Sequence, residues 1–117
     1  VFDKVTFIER LLGDNDLIHV VAEGFMADIP GQIDRLDESI KNDRMNDAER
    51  IAHTINGAAA NMCAGELRKT ASMIENLCRN NSGDTALAFI PELRMRFNAL
   101  SQTLRDEILG RSSGKDF

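Results

Sequence analysis

The residue whose type and surroundings could do chemistry is His53, in the run "AHTINGAAAN" (residues 52–61). A neutral imidazole is a nucleophile near physiological pH, and its two nitrogens can play different roles. The company His53 keeps is unusual: one glycine, four alanines and nothing bulky. Glycine inside a helix costs roughly 1 kcal/mol relative to alanine, so a glycine here needs a reason. Successive helical residues turn by about 100°, which places Gly57 and Ala60 one and two turns beyond His53 on the same side. The ring therefore projects from a face that carries almost no side chain, and a partner can approach the backbone there. The bland alternative is that these small residues serve close helix–helix packing. His19, beside Val20 and Val21, has no comparable surroundings and reads as structural or merely exposed.

Other chemistries find little support. His53 and Cys63 lie about 15 Å apart along an unbroken helix, too far to share a metal whose ligands sit about 2.0–2.3 Å from it. No HExxH, paired Cys/His spacing, GxSxG or glycine-rich phosphate loop is present. No metal site is expected, and no nucleotide site. Cys63 and Cys78 form no CxxC and read as reduced core thiols. A net charge of -5 argues against nucleic acid, because phosphate neutralisation supplies most of that affinity. Arg94, Arg96 and Arg105 are spaced like solvated helix positions rather than a basic patch.

The elements that must hold His53 in place are helical throughout. The 117-residue chain, 43% hydrophobic, has no Trp or Tyr and only two prolines, and its apolar residues recur at helical spacing. A short first helix fits residues 3–12. The "GDND" that follows interrupts it, with Asp14 or Asp16 available as the next cap. A long second helix carries Leu17, Val20, Val21, Phe25, Ile29, Ile33, Leu36 and Ile40, bent or broken at Pro30. The turn "KNDRMND" offers Asn46 or Asp43 as a cap for a third helix over 46–62, whose stripe is Ala48, Ile51, Ala52, Ile55, Ala59 and Met62. Gly65 marks a break before a fourth helix bearing Leu67, Ala71, Ile74, Leu77 and Cys78. After the loop "RNNSGD", a last helix over about 84–109 contains Pro91 near its start. Amphipathic helices joined by short loops bury their stripes against each other. The expected fold is all-α: an antiparallel up-down-up-down four-helix bundle with a short N-terminal capping helix. The domain is expected over 1–110, with a disordered tail at 111–117. No apolar run approaches a membrane span, and the opening Val1 reads as a piece of a longer chain or a processed one.

The segment "AHTINGAAANMCAGEL" resembles the signature of histidine-containing phosphotransfer (HPt) domains, roughly His-x-Leu/Ile-Lys-Gly-Ala/Ser-Ala/Ser-x-x-hydrophobic-Gly. His53, Ile55, Gly57, Ala58, Ala59, Asn61 and Met62 fit it. The upstream "FMADIPGQIDRLDESIKNDRMNDAERIAH" resembles the family's phenylalanine-acidic-proline helix and loop. The downstream "LRKTASMIENLCR" is similar to the helix behind the histidine. The likeness covers roughly residues 2–108. Two departures stand out. Asn56 replaces the usual Lys or Arg three residues after the histidine, which implies slower transfer or a less stable phosphorylated state. The second glycine of the pattern falls at Cys63, with Gly65 close by.

The resemblance implies a phosphorelay intermediate without its own kinase. His53 would accept a phosphoryl group from a receiver-domain aspartate and pass it to another receiver. Glu75 matches the position that orients the ring, Asn56 lies near the phosphoryl group, and Gly57 and Ala60 form the receiver-docking face. Phe7, Ile8, Leu11 and Leu12 are expected at its apolar rim. The partners implied are response-regulator receivers, which bring Mg²⁺, and a parent hybrid sensor histidine kinase. No cofactor of its own, no nucleic acid and no membrane contact are expected, and a cytoplasmic location follows, in the soluble part of a sensor kinase. The competing reading is a helical protein-interaction domain that has lost the transfer chemistry.

Overall fold

The computed structural model describes residues 2–110; the tail expected at 111–117 lies outside them. Six α-helices follow one another: α1 (Lys4–Arg10), α2 (Asn15–Lys41), α3 (Met45–Asn61), α4 (Gly65–Arg79), α5 (Gly83–Ala88) and α6 (Ile90–Leu104), with a π-helical turn at Arg105–Leu109. Among the described residues there is no strand, only one isolated bridge between Phe2 and Ala64. The α3 helix packs against α2 and α4, while α6 packs against the same two helices. Their apolar stripes share one core, in which Ile29, Ile33, Leu36, Ala52, Ile55, Ile74, Leu93 and Leu104 are essentially sealed from solvent.

Local chemistry explains where the helices begin. The Asp3 side chain caps α1, accepting from the Thr6 N–H at 3.1 Å and its hydroxyl at 2.7 Å, and these bonds hold its carboxyl below the usual range. Asp14 caps α2 by accepting from the Leu17 N–H. Neither Asn46 nor Asp43 caps α3. Arg44 holds that position with no side-chain bond, and Asp43 serves the preceding turn instead.

The helix ends share one device. After α1, α2, α3 and α4 the chain enters the left-handed region at Leu12, Asp43, Cys63 and Asn81. Paired backbone bonds then close the last turn, as in Asp43 N–H to Ile40 C=O and Arg44 N–H to Ser39 C=O. The expected break at Gly65 is therefore displaced: Cys63 makes the turn at φ 57°, and Gly65 begins α4.

The two prolines behave differently. Pro30 lies inside an unbroken α2, where the neighbouring Ile29 and Ile33, each 1% exposed, anchor the helix on both sides. Pro91 instead ends the continuous last helix expected over 84–109. It sits in the first turn of α6, where its missing N–H costs nothing. Extending α5 through it would drive the ring against the carbonyl one turn back, so the chain breaks at Phe89. The start of α2 also differs from expectation. Ile18 and Ala22 are buried, whereas Leu17 and Val20 face solvent, because counting back from Phe25 in helical steps reaches 22 and 18. Arg10 already closes α1, so residues 11–13 form a turn.

Candidate functional site

The site is built on the hairpin of α3 and α4. Ala48, Ala52, Ile55 and Ala59 have no exposed surface, which fixes the rotation of α3 and turns His53 outward. The His53 side chain is 72% exposed. On α4 the buried residues Ala71, Ile74 and Cys78 set the rotation that brings Glu75 to the α3 interface. Glu75 is itself buried. Its Oε2 lies 2.9 Å from His53 Nδ1. A carboxylate only accepts, so Nδ1 carries the proton in this contact. Among the described residues Nε2 has no hydrogen-bond partner, and it lies across the exposed ring.

Glu75 is the hub of a wider network. Asn56 Nδ2 donates to its Oε1 at 3.3 Å. Arg79 Nη2 donates to the same Oε2 that meets the histidine, at 3.0 Å. Arg79 Nε in turn donates to Glu49 Oε2 at 2.9 Å, and Nη1 to Asn76 Oδ1 at 2.9 Å. Glu49 and then Glu75 hold the guanidinium above its ordinary value. Burial, with help from Glu49, raises Cys78 and keeps its thiol protonated.

Arg79 and Glu49 are members of the network that the sequence reading did not single out. The signal lay in helical spacing: Arg79 is four residues beyond Glu75, and Glu49 four before His53. Asn56 is half-buried, with its amide turned to Glu75.

Beyond His53 the surface is open. An added Cβ on Gly57 meets no atom within 4 Å, so packing inside this chain does not explain the glycine. Ala60 is half-buried, and its carbonyl accepts from Arg10 Nη1 at 3.0 Å, which fastens α1 beside the end of α3. The expected rim divides. Leu12 is 92% exposed and Ile8 and Leu11 are half-buried, but Phe7 is 1% exposed and belongs to the core, its ring tilted against that of Phe2.

The remaining candidates separate from this site. His19 Nε2 lies 3.2 Å from the Ile108 carbonyl and ties α2 to the π-helical turn. Cys78 is a buried free thiol, whereas Cys63 is free and half-buried at a turn rather than in the core. Arg94 pairs with Asp34 at 2.9 Å and Arg96 approaches Glu66 at 3.9 Å. Among the described residues no group of three or more His, Cys, Asp or Glu is placed to hold a metal ion, and no helix is long and apolar enough to cross a membrane.

A family model described as "Hpt domain" matches residues 20–103. The match runs from α2 through most of α6 and includes every member of the histidine network. No curated protein and no solved structure matches the chain.

Proposed function

The chain belongs to the Hpt domain family, whose members act in phosphorelays of two-component signalling, and from that premise we propose that His53 is its phosphoryl carrier. The observation that carries the proposal is the 2.9 Å contact between His53 Nδ1 and a buried carboxylate, with Nε2 left free on an exposed ring. An acceptor at Nδ1 holds the proton there and leaves a lone pair on Nε2. That lone pair attacks the phosphorus of a receiver's aspartyl phosphate. An N–P bond forms, the P–O bond to the aspartate breaks, and the carboxylate leaves with the electron pair. The ring becomes cationic in the process, and Glu75 offsets that charge where it develops. Transfer to a second receiver reverses these events.

The receiver supplies Mg²⁺ and the remaining catalytic groups. This domain supplies a positioned imidazole and a surface on which the receiver sits: Gly57 and Ala60, with Ile8, Leu11 and Leu12 at the rim. Asn56 brings no positive charge to the phosphoryl group, and its bond to Glu75 supports a role in holding the carboxylate. The short turns joining successive helices support the up-down-up-down arrangement of α2, α3, α4 and α6. A hybrid sensor histidine kinase is the natural parent, with the domain on its cytoplasmic side.

The test is phosphoryl acceptance. The domain is incubated with Mg²⁺-bound phosphorylated receivers, including any in the parent protein, and its intact mass is followed. A gain of one phosphoryl group, labile to acid, stable to base and absent in His53→Gln, is expected. No gain from any receiver would sink the proposal in favour of an interaction domain without transfer chemistry.

A further inference from the structure

A buried carboxylate against an imidazole creates a difficulty for a nucleophile. An unpaired negative charge beside the ring favours the imidazolium form, and an imidazolium has no lone pair on Nε2 to attack with. If His53 is the phosphoryl carrier, the reading on which this inference rests, Glu75 must accept from Nδ1 without drawing a second proton onto the ring.

The arrangement around Glu75 meets that need. Its Oε2 is shared by His53 Nδ1 at 2.9 Å and Arg79 Nη2 at 3.0 Å. The guanidinium is held on its other edges by Glu49 on α3, at 2.9 Å, and by Asn76 on α4, at 2.9 Å. Arg79 thus spans the α3–α4 interface in a fixed fork, a geometry lysine cannot copy. We propose that Arg79 is a positioning residue that balances the charge of Glu75, so that His53 remains a neutral imidazole with its proton on Nδ1. Glu49 sits one turn before His53 and shares Arg79 with Glu75, so the three groups together carry one net negative charge, spread over both carboxylates instead of standing unpaired at Glu75. The other charges near this stretch of α3 are Arg50 and Asp47, which pair with each other. Further along the helix Arg10 of α1 bonds the Ala60 carbonyl. The one charge that bonds the ring directly is Glu75, and its counter-ion is Arg79.

The half-exposed guanidinium is partly screened by water, which sets the size of the effect. Arg79→Met is therefore expected to move the pH profile of acceptance about half a unit to the alkaline side, and so to slow acceptance by up to about threefold at and below neutral pH. The loss is recovered at higher pH, because deprotonation restores the lone pair. Adding Glu75→Gln to Arg79→Met removes the unbalanced charge and returns the profile toward that of the unaltered domain. Arg79→Lys keeps the charge and holds the profile in place while loosening the geometry. A merely structural arginine would show neither the alkaline shift nor its reversal.

The experiment measures acceptance across pH in these variants, together with the ¹⁵N shifts of the His53 ring through a pH titration, in the isolated domain. Arg79→Gln replaces Arg79→Met if the latter does not fold. An alkaline shift in both readouts, reversed by the second substitution, is the expected result. A pH profile and ring spectrum unchanged by loss of Arg79 would overturn the inference while leaving His53 as carrier. Should the unaltered domain accept no phosphoryl group, the carrier reading fails. The ring titration still decides whether Arg79 balances Glu75.

Discussion

The two sides of α3 use small residues for opposite reasons. On the core side Ala48, Ala52 and Ala59 have no exposed surface, and they are small because α2 and α4 lie against them. On the site side Gly57 is small although nothing stands within 4 Å of where its Cβ would be. The first group answers to neighbours inside the chain. The second has no such neighbour within the described chain, and the proposed docking of a receiver would give its size a reason. Composition alone cannot separate the two, since both appear in one run of glycine and alanine; the helical phase separates them.

Substitution on each side tests that contrast. The largest effect is expected from His53→Gln, which should abolish phosphoryl acceptance by intact mass while leaving the unfolding curve in place, because the side chain is mostly in solvent. Gly57→Leu should preserve or slightly raise helix stability, since glycine is the poorer helix former by about 1 kcal/mol. It should nevertheless slow transfer by about a hundredfold, the order expected when reacting groups are held about 1 Å out of place. Unchanged transfer rates in that variant would remove the docking argument. Ala52→Leu, on the opposite side, should destabilise the fold by about 1–3 kcal/mol through overpacking, read from a urea titration. If it were tolerated without loss, the core side would be looser than its burial indicates. The smallest effect is expected at the end of the helix. Cys63 occupies the left-handed region at φ 57°, which costs a residue with a Cβ about 1 kcal/mol. Cys63→Gly should raise the denaturation midpoint by a corresponding amount, and a lowered midpoint would mean that packing of the thiol outweighs the backbone term.

Much of this molecule is legible in its residues. The helical class follows from apolar spacing, and the core face of α3 from the positions of Ala48, Ala52, Ile55 and Ala59. The proximity of Glu75 to His53 is reached through resemblance and not through geometry, because residues 22 apart on two helices meet only once both rotations are fixed. Pro30 and Pro91 show a different limit. Each is a helix breaker by local rule, yet the first is overridden by core anchors on either side and the second is obeyed. Cys63 shows a third. A residue with a side chain gives no sign that its backbone will turn left-handed, so local rules point to the nearby Gly65 instead. Leu17 and Val20 mislead through their hydrophobicity, although the phase set by Phe25 already favours Ile18 and Ala22. Arg79 and Glu49 look like ordinary solvated helix charges until Glu75 is known to be buried, since only a buried carboxylate requires a counter-ion.

The exposure of the His53 ring bears on time as well as geometry. The imidazole stands on the outer face of α3, with 72% of its side chain in contact with water. A phosphoryl group carried there would stay in bulk solvent between partners. On the proposed role, exclusion of water, which strengthens electrostatic stabilisation in closed active sites, would have to come from a receiver docked over it. The domain by itself would then be a courier: its cargo persists by the intrinsic lifetime of the N–P bond, and fast chemistry is confined to the moments when a receiver covers the ring.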